Sequence, residues 1–288
     1  MWTDRDVTLA DGTTVTYVDA GIPDGEVVLY LHGTPSSRLQ VSGPVDVAAS
    51  ELGLRLVAPD RPGLGGSSFF PYRVADYPGV IERLADALGI DRFGVVGTSG
   101  GGRYTAACGA LLGDRIRRVG LVASTVSMDV PGARAAANRD DRVAYVLATR
   151  VPWLLRAWMA KLARDLRRDP DAFRRMMPTL SEADERAFHR ADVRSLIGPV
   201  LAETFRQGTR GLTHDYRLEA LPWEVRLAAI TAPVDIWHGT DDTLVRPDAS
   251  ELLAAAIPGA RRHLVDGEGH FSLILARAKD YLAPFAPS

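Results

Sequence analysis

Ser99 stands in the stretch FGVVGTSGGGRY, with Gly97 before it and Gly100, Gly101 and Gly102 after it. A serine hydroxyl is a poor nucleophile at neutral pH unless a base takes its proton and a third group orients that base. The chain holds six histidines. Of these, His270 in VDGEGHFSLI follows the last strand-like run, RRHLVDG, in a Gly-rich loop that opens the final helix, which makes it the candidate base. His32 and His238 each precede a glycine at a strand end, His263 points from inside a strand, and His189 and His214 fall in a long helical stretch. These five are read as structural. The orienting acid has to come from a different strand end, and IWHGTDDTLVRP supplies Asp241 and Asp242. The residue types together point to a Ser-His-Asp relay for nucleophilic attack. GTSGGG lacks the lysine of a P-loop and the spacing of a dinucleotide fingerprint, so phosphate binding is not expected there.

Chemistry at these positions requires elements that hold them. VTLADGTTVTYVDAG alternates apolar and polar residues on either side of Asp11-Gly12 and predicts a hairpin. VVLYLHG, LRLVAPD, FGVVGTS, VGLVAS and VDIWHGT are short, continuously apolar runs that end in small or polar residues. Continuous apolarity predicts strands buried on both faces, as in a parallel sheet covered by helices. VIERLADALGI and SELLAAAIPG supply helical patterns between them, so the fold class is α/β with function at the carboxyl ends of strands. Ser99 then lies where a buried strand turns at once into a helix whose apolar face is Tyr104, Ala107, Cys108, Leu111 and Leu112. Gly97 and Gly101 allow the close approach, the turn strains Ser99, and the helix start sets unpaired N–H groups beside its hydroxyl.

The order of motifs resembles the α/β-hydrolase fold family: LHGTP early, PDRPGLGGS, the elbow GTSGG, then HGTDDTLV and GEGH. The resemblance covers roughly residues 5 to 124 and 229 to 285, and it implies a mostly parallel sheet with helices on both faces and a helical cap insertion. Residues 1–124 and 229–288 are expected to form the core and 125–228 the cap. In the family's acid loop the aspartate commonly comes three residues after the glycine, which selects Asp242 over Asp241. Some members place the acid after the preceding core strand, which keeps Asp129 as an alternative. By the same resemblance the backbone N–H groups of Gly100 and Thr34 form the oxyanion hole. HGTP differs from the HGGG of many lipases and esterases, and serine at position 99 argues against relatives similar to haloalkane dehalogenases or epoxide hydrolases, whose nucleophile is a carboxylate. DRPGLGGS is read as a structural loop.

From Ser124 to about Ala228 the strand pattern stops. WLLRAWMAKLARDL sets Leu155, Trp158, Met159, Leu162 and Leu166 on one helical face, and Ser181 with Asp184 predicts a capped helix start. The Trp158 and Met159 stripe is expected to pack the cap rather than to line a substrate groove. Residues 131–175 hold eleven Arg and Lys against five Asp and Glu, read as a solvated helix face.

Composition sets the outer bounds. With 288 residues, 46% of them hydrophobic, the chain can bury a large core. A formal charge of −2 gives no electrostatic case for nucleic acid or an anionic membrane surface. No apolar run approaches a membrane span and the start lacks a signal-peptide pattern, so a cytoplasmic protein is expected. The lone Cys108 excludes an intrachain disulfide and a cysteine-rich metal site, and is assigned to the core. The expected activity is hydrolysis of a carboxylic ester of a small or medium-sized substrate through an acyl-enzyme, without cofactor or metal. A thioesterase, amidase or peptidase, carbon-carbon hydrolase, perhydrolase or lyase on the same residues, or a ligand-binding protein with marginal turnover, are the alternatives.

Overall fold

The computed structural model describes residues 2–287 except 170, 178 and 179. Eight strands form one sheet: β1 Thr3–Thr8, β2 Thr14–Gly21, β3 Glu26–Leu31, β4 Leu54–Pro59, β5 Phe93–Thr98, β6 Ile116–Val122, β7 Val234–Gly239 and β8 Arg261–Val265. Their spatial order is β1-β2-β4-β3-β5-β6-β7-β8. β1 pairs antiparallel with β2, and β2 with β4, while every other pairing is parallel. The continuous apolar runs are the parallel strands: all six residues of β5 are buried. β1 is the exposed antiparallel edge, joined to β2 through the turn at Asp11-Gly12, where Gly12 has φ 80°.

Helices cover both faces: α1 Pro44–Glu51, α2 Tyr77–Ala87, α3 Gly102–Leu111, α11 Asp248–Ala256, α12 His270–Ala276 and α13 Ala278–Leu282 pack on the sheet. One core cluster gathers Leu29, Leu31, Val95, Ile81, Tyr104 and Cys108 on one side, and another gathers Val28, Tyr30, Val96, Val45, Leu273 and Tyr281 on the other. α3 departs from the expected face at one position: Leu111 is 53% exposed, because the helix ends there and Gly113, with φ 52°, turns the chain toward β6.

Between β6 and β7 the described residues add no strand to the sheet, apart from a single antiparallel bridge of Ala137 to Val245; their α-helices are α4 Ala133–Ala136, α5 Arg139–Arg150, α6 Pro152–Arg168, α7 Ala172–Met176, α8 Glu182–His189, α9 Ala191–Thr204 and α10 Arg210–Glu219. α6 buries Leu155, Met159 and Leu162, which meet Tyr145 of α5 and Leu212 and Tyr216 of α10. The basic residues of α6 lie on its exposed side. No helix among the described residues is long and apolar enough to cross a membrane.

The strand order reverses at β3 and β5, since β4 lies on one side of β3 and β5 on the other. A crevice opens beyond the carboxyl ends of strands at such a reversal. Leu31 pairs with Gly97 in register, so the loops after β3 and β5 leave the sheet side by side.

Candidate active site

β5 ends at Thr98 and a short 3-10 turn, Ser99–Gly101, leads straight into α3. The turn holds Ser99 at φ 51°, a left-handed conformation that costs a non-glycine residue about 1–3 kcal/mol. Its neighbours cannot carry side chains: a Cβ on Gly97 would strike the Thr105 hydroxyl, and one on Gly101 the backbone carbonyl oxygens of Leu31 and His32. The strain is therefore maintained by packing of strand, helix and the adjacent loop.

That adjacent loop is His32-Gly33-Thr34. A Cβ on Gly33 would stand 3.3 Å from the Ser99 Cβ, and one on Gly100 would stand 2.6 Å from the Thr34 hydroxyl, so the two loops are in van der Waals contact. Arg61, buried in the DRPGLGGS loop, holds this arrangement by donating to the carbonyls of His32 and, at 2.8 Å, Gly33. It also donates to Thr34 Oγ1 at 2.9 Å, while the Thr34 hydroxyl donates to Asp215 Oδ2 of α10 at 2.6 Å. Asp215 also takes Arg61 at 2.8 Å, Arg103 of α3 at 2.8 Å and the Tyr104 hydroxyl at 2.7 Å. Burial opposes its charge, but the Arg103 and Arg61 guanidiniums outweigh burial and hold its carboxyl well below the usual carboxylate range. Glu219, one turn further along α10, lies 3.2 Å from Arg103. Two buried core cations thus meet two buried carboxylates of the insertion.

Asp242 follows β7 and His270 follows β8, and the register of Gly239 with Val265 brings their loops together. His270 Nδ1 and Asp242 Oδ2 are 2.8 Å apart. Asp242 Oδ1 accepts from the N–H groups of Leu244 and Val245, each at 2.9 Å, which fixes the carboxylate plane. His238 Nε2 lies 3.2 Å from Asp242 Oδ2 and 2.9 Å from the Val245 carbonyl. Asp242 is buried, yet His270 and His238 keep its carboxyl below the ordinary range. For His270, burial works against the imidazolium, but Asp242 outweighs it, with Asp184 and Asp141 adding to the effect, and its pKa is raised.

The other two acids point elsewhere. Asp241 is exposed and receives the Thr240 hydroxyl, and Asp129 is exposed and takes the Ser127 hydroxyl. The remaining histidines also have other partners: His214 Nε2 faces the Tyr72 carbonyl at 2.8 Å, His263 stacks on Trp237 and reaches Asp235, and His32 turns Nδ1 to the Gly33 carbonyl. His189 is exposed on α8.

Ser99, His270, Thr34 and Gly33 line one cavity of about 670 Å³ between core and insertion. Its far wall is apolar, with Leu196, Val200 and Leu201 of α9, Phe173 of α7 and both Trp158 and Met159 of α6. The expectation that Trp158 and Met159 pack the insertion rather than line a groove is corrected here: Met159 is buried in the helical cluster and Trp158 packs against it, yet both residues also line the cavity, because that face of α6 borders the helical cluster and the cavity alike. Asp141 and Glu219 also reach the wall. Burial, with Glu219 next, pushes the Asp141 carboxyl up to about 7.

Arg61 and Asp215 have no role of their own in the motif reading, which takes His238 as structural and Asp184 only as part of a helix start. A buried-charge signal existed for Asp215 and Glu219, an i,i+4 acidic pair on one helix, but their partners sit more than a hundred residues earlier.

A family model for the alpha/beta hydrolase fold matches residues 26–276. The chain is 26% identical over 278 residues to a poly(3-hydroxyalkanoate) depolymerase of Ectopseudomonas oleovorans, covering 94% of this chain and 87% of that protein. It is 26% identical over 289 residues to epoxide hydrolase A of Mycobacterium tuberculosis, covering 91% and 89%. Among solved structures, the enol-lactonase of Burkholderia xenovorans LB400 superimposes with a TM-score of 0.72 at 21% identity, covering 98% of this chain and 99% of that one. The chain is a hydrolase of the alpha/beta hydrolase fold family.

Proposed function

We propose that the protein hydrolyses a carboxylic ester through an acyl-enzyme on Ser99. The observation that carries this reading is the His270–Asp242 pair at 2.8 Å on the wall of the cavity into which the strained Ser99 also faces. Ser99 Oγ attacks the ester carbonyl, and its proton passes to His270 Nε2 while Asp242 holds Nδ1–H and stabilises the imidazolium. The N–H groups of Thr34 and Gly100 receive the oxyanion of the tetrahedral intermediate. His270 then protonates the departing alcohol. Water, deprotonated by the same imidazole, attacks the acyl-enzyme and frees the acid.

The insertion acts as a cap that shapes the acyl or alcohol pocket with apolar walls, which suits a small or medium-sized neutral ester. Two of the similar proteins carry names that denote ester cleavage, a polyester depolymerase and a lactonase, a lactone being a cyclic ester. The epoxide hydrolase relative is set apart by serine at position 99, where a carboxylate nucleophile is expected of that chemistry.

The test is labelling by a fluorophosphonate together with turnover of p-nitrophenyl butyrate. The expected result is a single adduct on Ser99 and a burst of p-nitrophenol equal to the labelled fraction. Absence of the adduct from a folded protein refutes the serine mechanism.

A further inference from the structure

Asp184 of α8 is fully buried, and its carboxylate is spent on the backbone that carries His270. Oδ2 accepts the His270 N–H at 3.0 Å, and Oδ1 accepts those of Phe271 at 2.8 Å and Ser272 at 2.9 Å. These are N–H groups of the first turn of α12, which have no partner within their own helix. Gly269, the residue before the helix, has no side-chain acceptor for them. A Cβ there would run into the Ser181 hydroxyl and the Asp184 carboxylate. The helix cap is therefore supplied from the insertion, 86 residues earlier in the chain. Asp184 is itself fixed, since its N–H donates to Ser181 Oγ at 3.2 Å. Phe188, one turn along α8, packs edge-on against Phe271 with ring centroids 4.9 Å apart, closing the same junction.

We infer that Asp184 is a positioning residue for the catalytic base: it locks the loop-to-helix junction from which His270 projects and sets a negative charge beside the imidazole. This rests on the triad reading above. The carboxylates that act on His270 include Asp242, in contact with its ring from the loop after β7, Asp184 of α8, in contact with its N–H, and Asp141 of α5, while His238 touches Asp242. A carboxylate beside an imidazole favours the protonated ring, so removing the Asp184 charge makes the ring lose its proton at lower pH. Docking of the insertion thus tunes both the aim and the basicity of the general base.

The experiment compares Asp184→Asn and Asp184→Glu in the full chain. Asn keeps one carbonyl for Phe271 and Ser272 but turns an amide donor toward the His270 N–H and removes the charge. The expected result is kcat lowered about 10-fold with KM within about twofold, and an acid limb of kcat/KM moved down by about half to one pH unit. Glu keeps the charge and displaces the carboxylate, so kcat falls while the acid limb stays in place. If Asn does not fold, Asp184→Ser, which retains an acceptor without charge, is expected to show the same downward shift. A second readout follows His270 directly, as the NMR titration of its imidazole in the ligand-free protein, where the Asn midpoint is expected below that of the wild type. Variants that lower only the melting temperature, with kcat, the acid limb and the imidazole midpoint unchanged, overturn the inference. An unlabelled Ser99 in the wild type refutes the triad reading instead, and the imidazole titration still decides the role of Asp184.

Discussion

Replacing Asp242 by asparagine changes one atom, and the contacts around the carboxylate determine which way the new amide faces. Oδ1 takes two backbone N–H groups, from Leu244 and Val245, whereas Oδ2 faces His270 Nδ1 and His238 Nε2. Turning the amide nitrogen toward the backbone leaves two buried N–H groups facing a donor, at about 1–3 kcal/mol each. The carbonyl therefore stays on the backbone and the NH2 faces His270. The imidazole then has to accept at Nδ1, which puts its proton on Nε2, the atom meant to receive the proton of Ser99. Both the tautomer and the charge that stabilises the imidazolium are lost, and comparable changes in triad enzymes cost about 10⁴-fold in kcat. At about 1.4 kcal/mol per decade, that is about 5.5 kcal/mol of barrier. The fold keeps its backbone hydrogen bonds, so the melting temperature is expected to move little. The assay is kcat and KM for p-nitrophenyl butyrate, with Asp241→Asn as the control, which is expected to stay within about twofold because Asp241 is exposed. An Asp242→Asn enzyme that retains a tenth of wild-type kcat, or an Asp241→Asn enzyme that is the worse of the two, refutes the assignment of the acid.

Ser99→Ala, His270→Ala and the double variant are expected to lose nearly all turnover to the same degree, since members of a triad act as a unit; losses that multiply count against the shared mechanism. The acid limb of kcat/KM is expected above the ordinary imidazole value of about 6.5, because Asp242 raises the pKa of His270. It is expected to survive in Asp141→Asn, and its disappearance there would transfer it to the Asp141 carboxyl. Trp158→Ala enlarges the cavity and is expected to raise the ratio of rates on long over short p-nitrophenyl esters; an unchanged ratio means that the ring does not bound the substrate. Asp215→Ala strands the Arg61 charge and leaves Arg103 with Glu219 alone, and is expected to cost about 3–5 kcal/mol in chemical denaturation. A change below 1 kcal/mol would refute the view that this quartet fastens the insertion.

The sheet and the loops that carry Ser99 and Asp242 were legible because their signals are local. Continuous apolar runs mark β3 to β7, small residues around Ser99 mark the elbow, and the run after β7 offers Asp241 and Asp242, between which the resemblance to the family's acid loop selects Asp242. What stayed hidden depends on contacts between distant segments. Asp184 reads as part of a helix start in SEADERAFH, and its hydrogen bond from its own N–H to Ser181 fits that pattern, but no spacing rule connects its carboxylate with His270. Arg61 looks like an ordinary residue of a Gly-rich turn until its guanidinium is placed under the carbonyls of His32 and Gly33. Trp158 shows its helical phase in the sequence, yet phase alone does not distinguish packing inside the insertion from facing a cavity.

The two carboxylates Asp184 and Asp215 lie on different helices of the insertion, and each grips a different loop of the candidate site in the core. Exchange of this segment between related enzymes is therefore not a matter of matching its ends to β6 and β7. A transplanted segment that brings new apolar walls without an acceptor over the His270 junction leaves three N–H groups bare, and one without a partner for Arg61 and Arg103 leaves two cations buried. Recombination that seeks a new substrate range has to carry these two anchor points with the pocket, or move Arg61 and Arg103 along with the donor's own anchors.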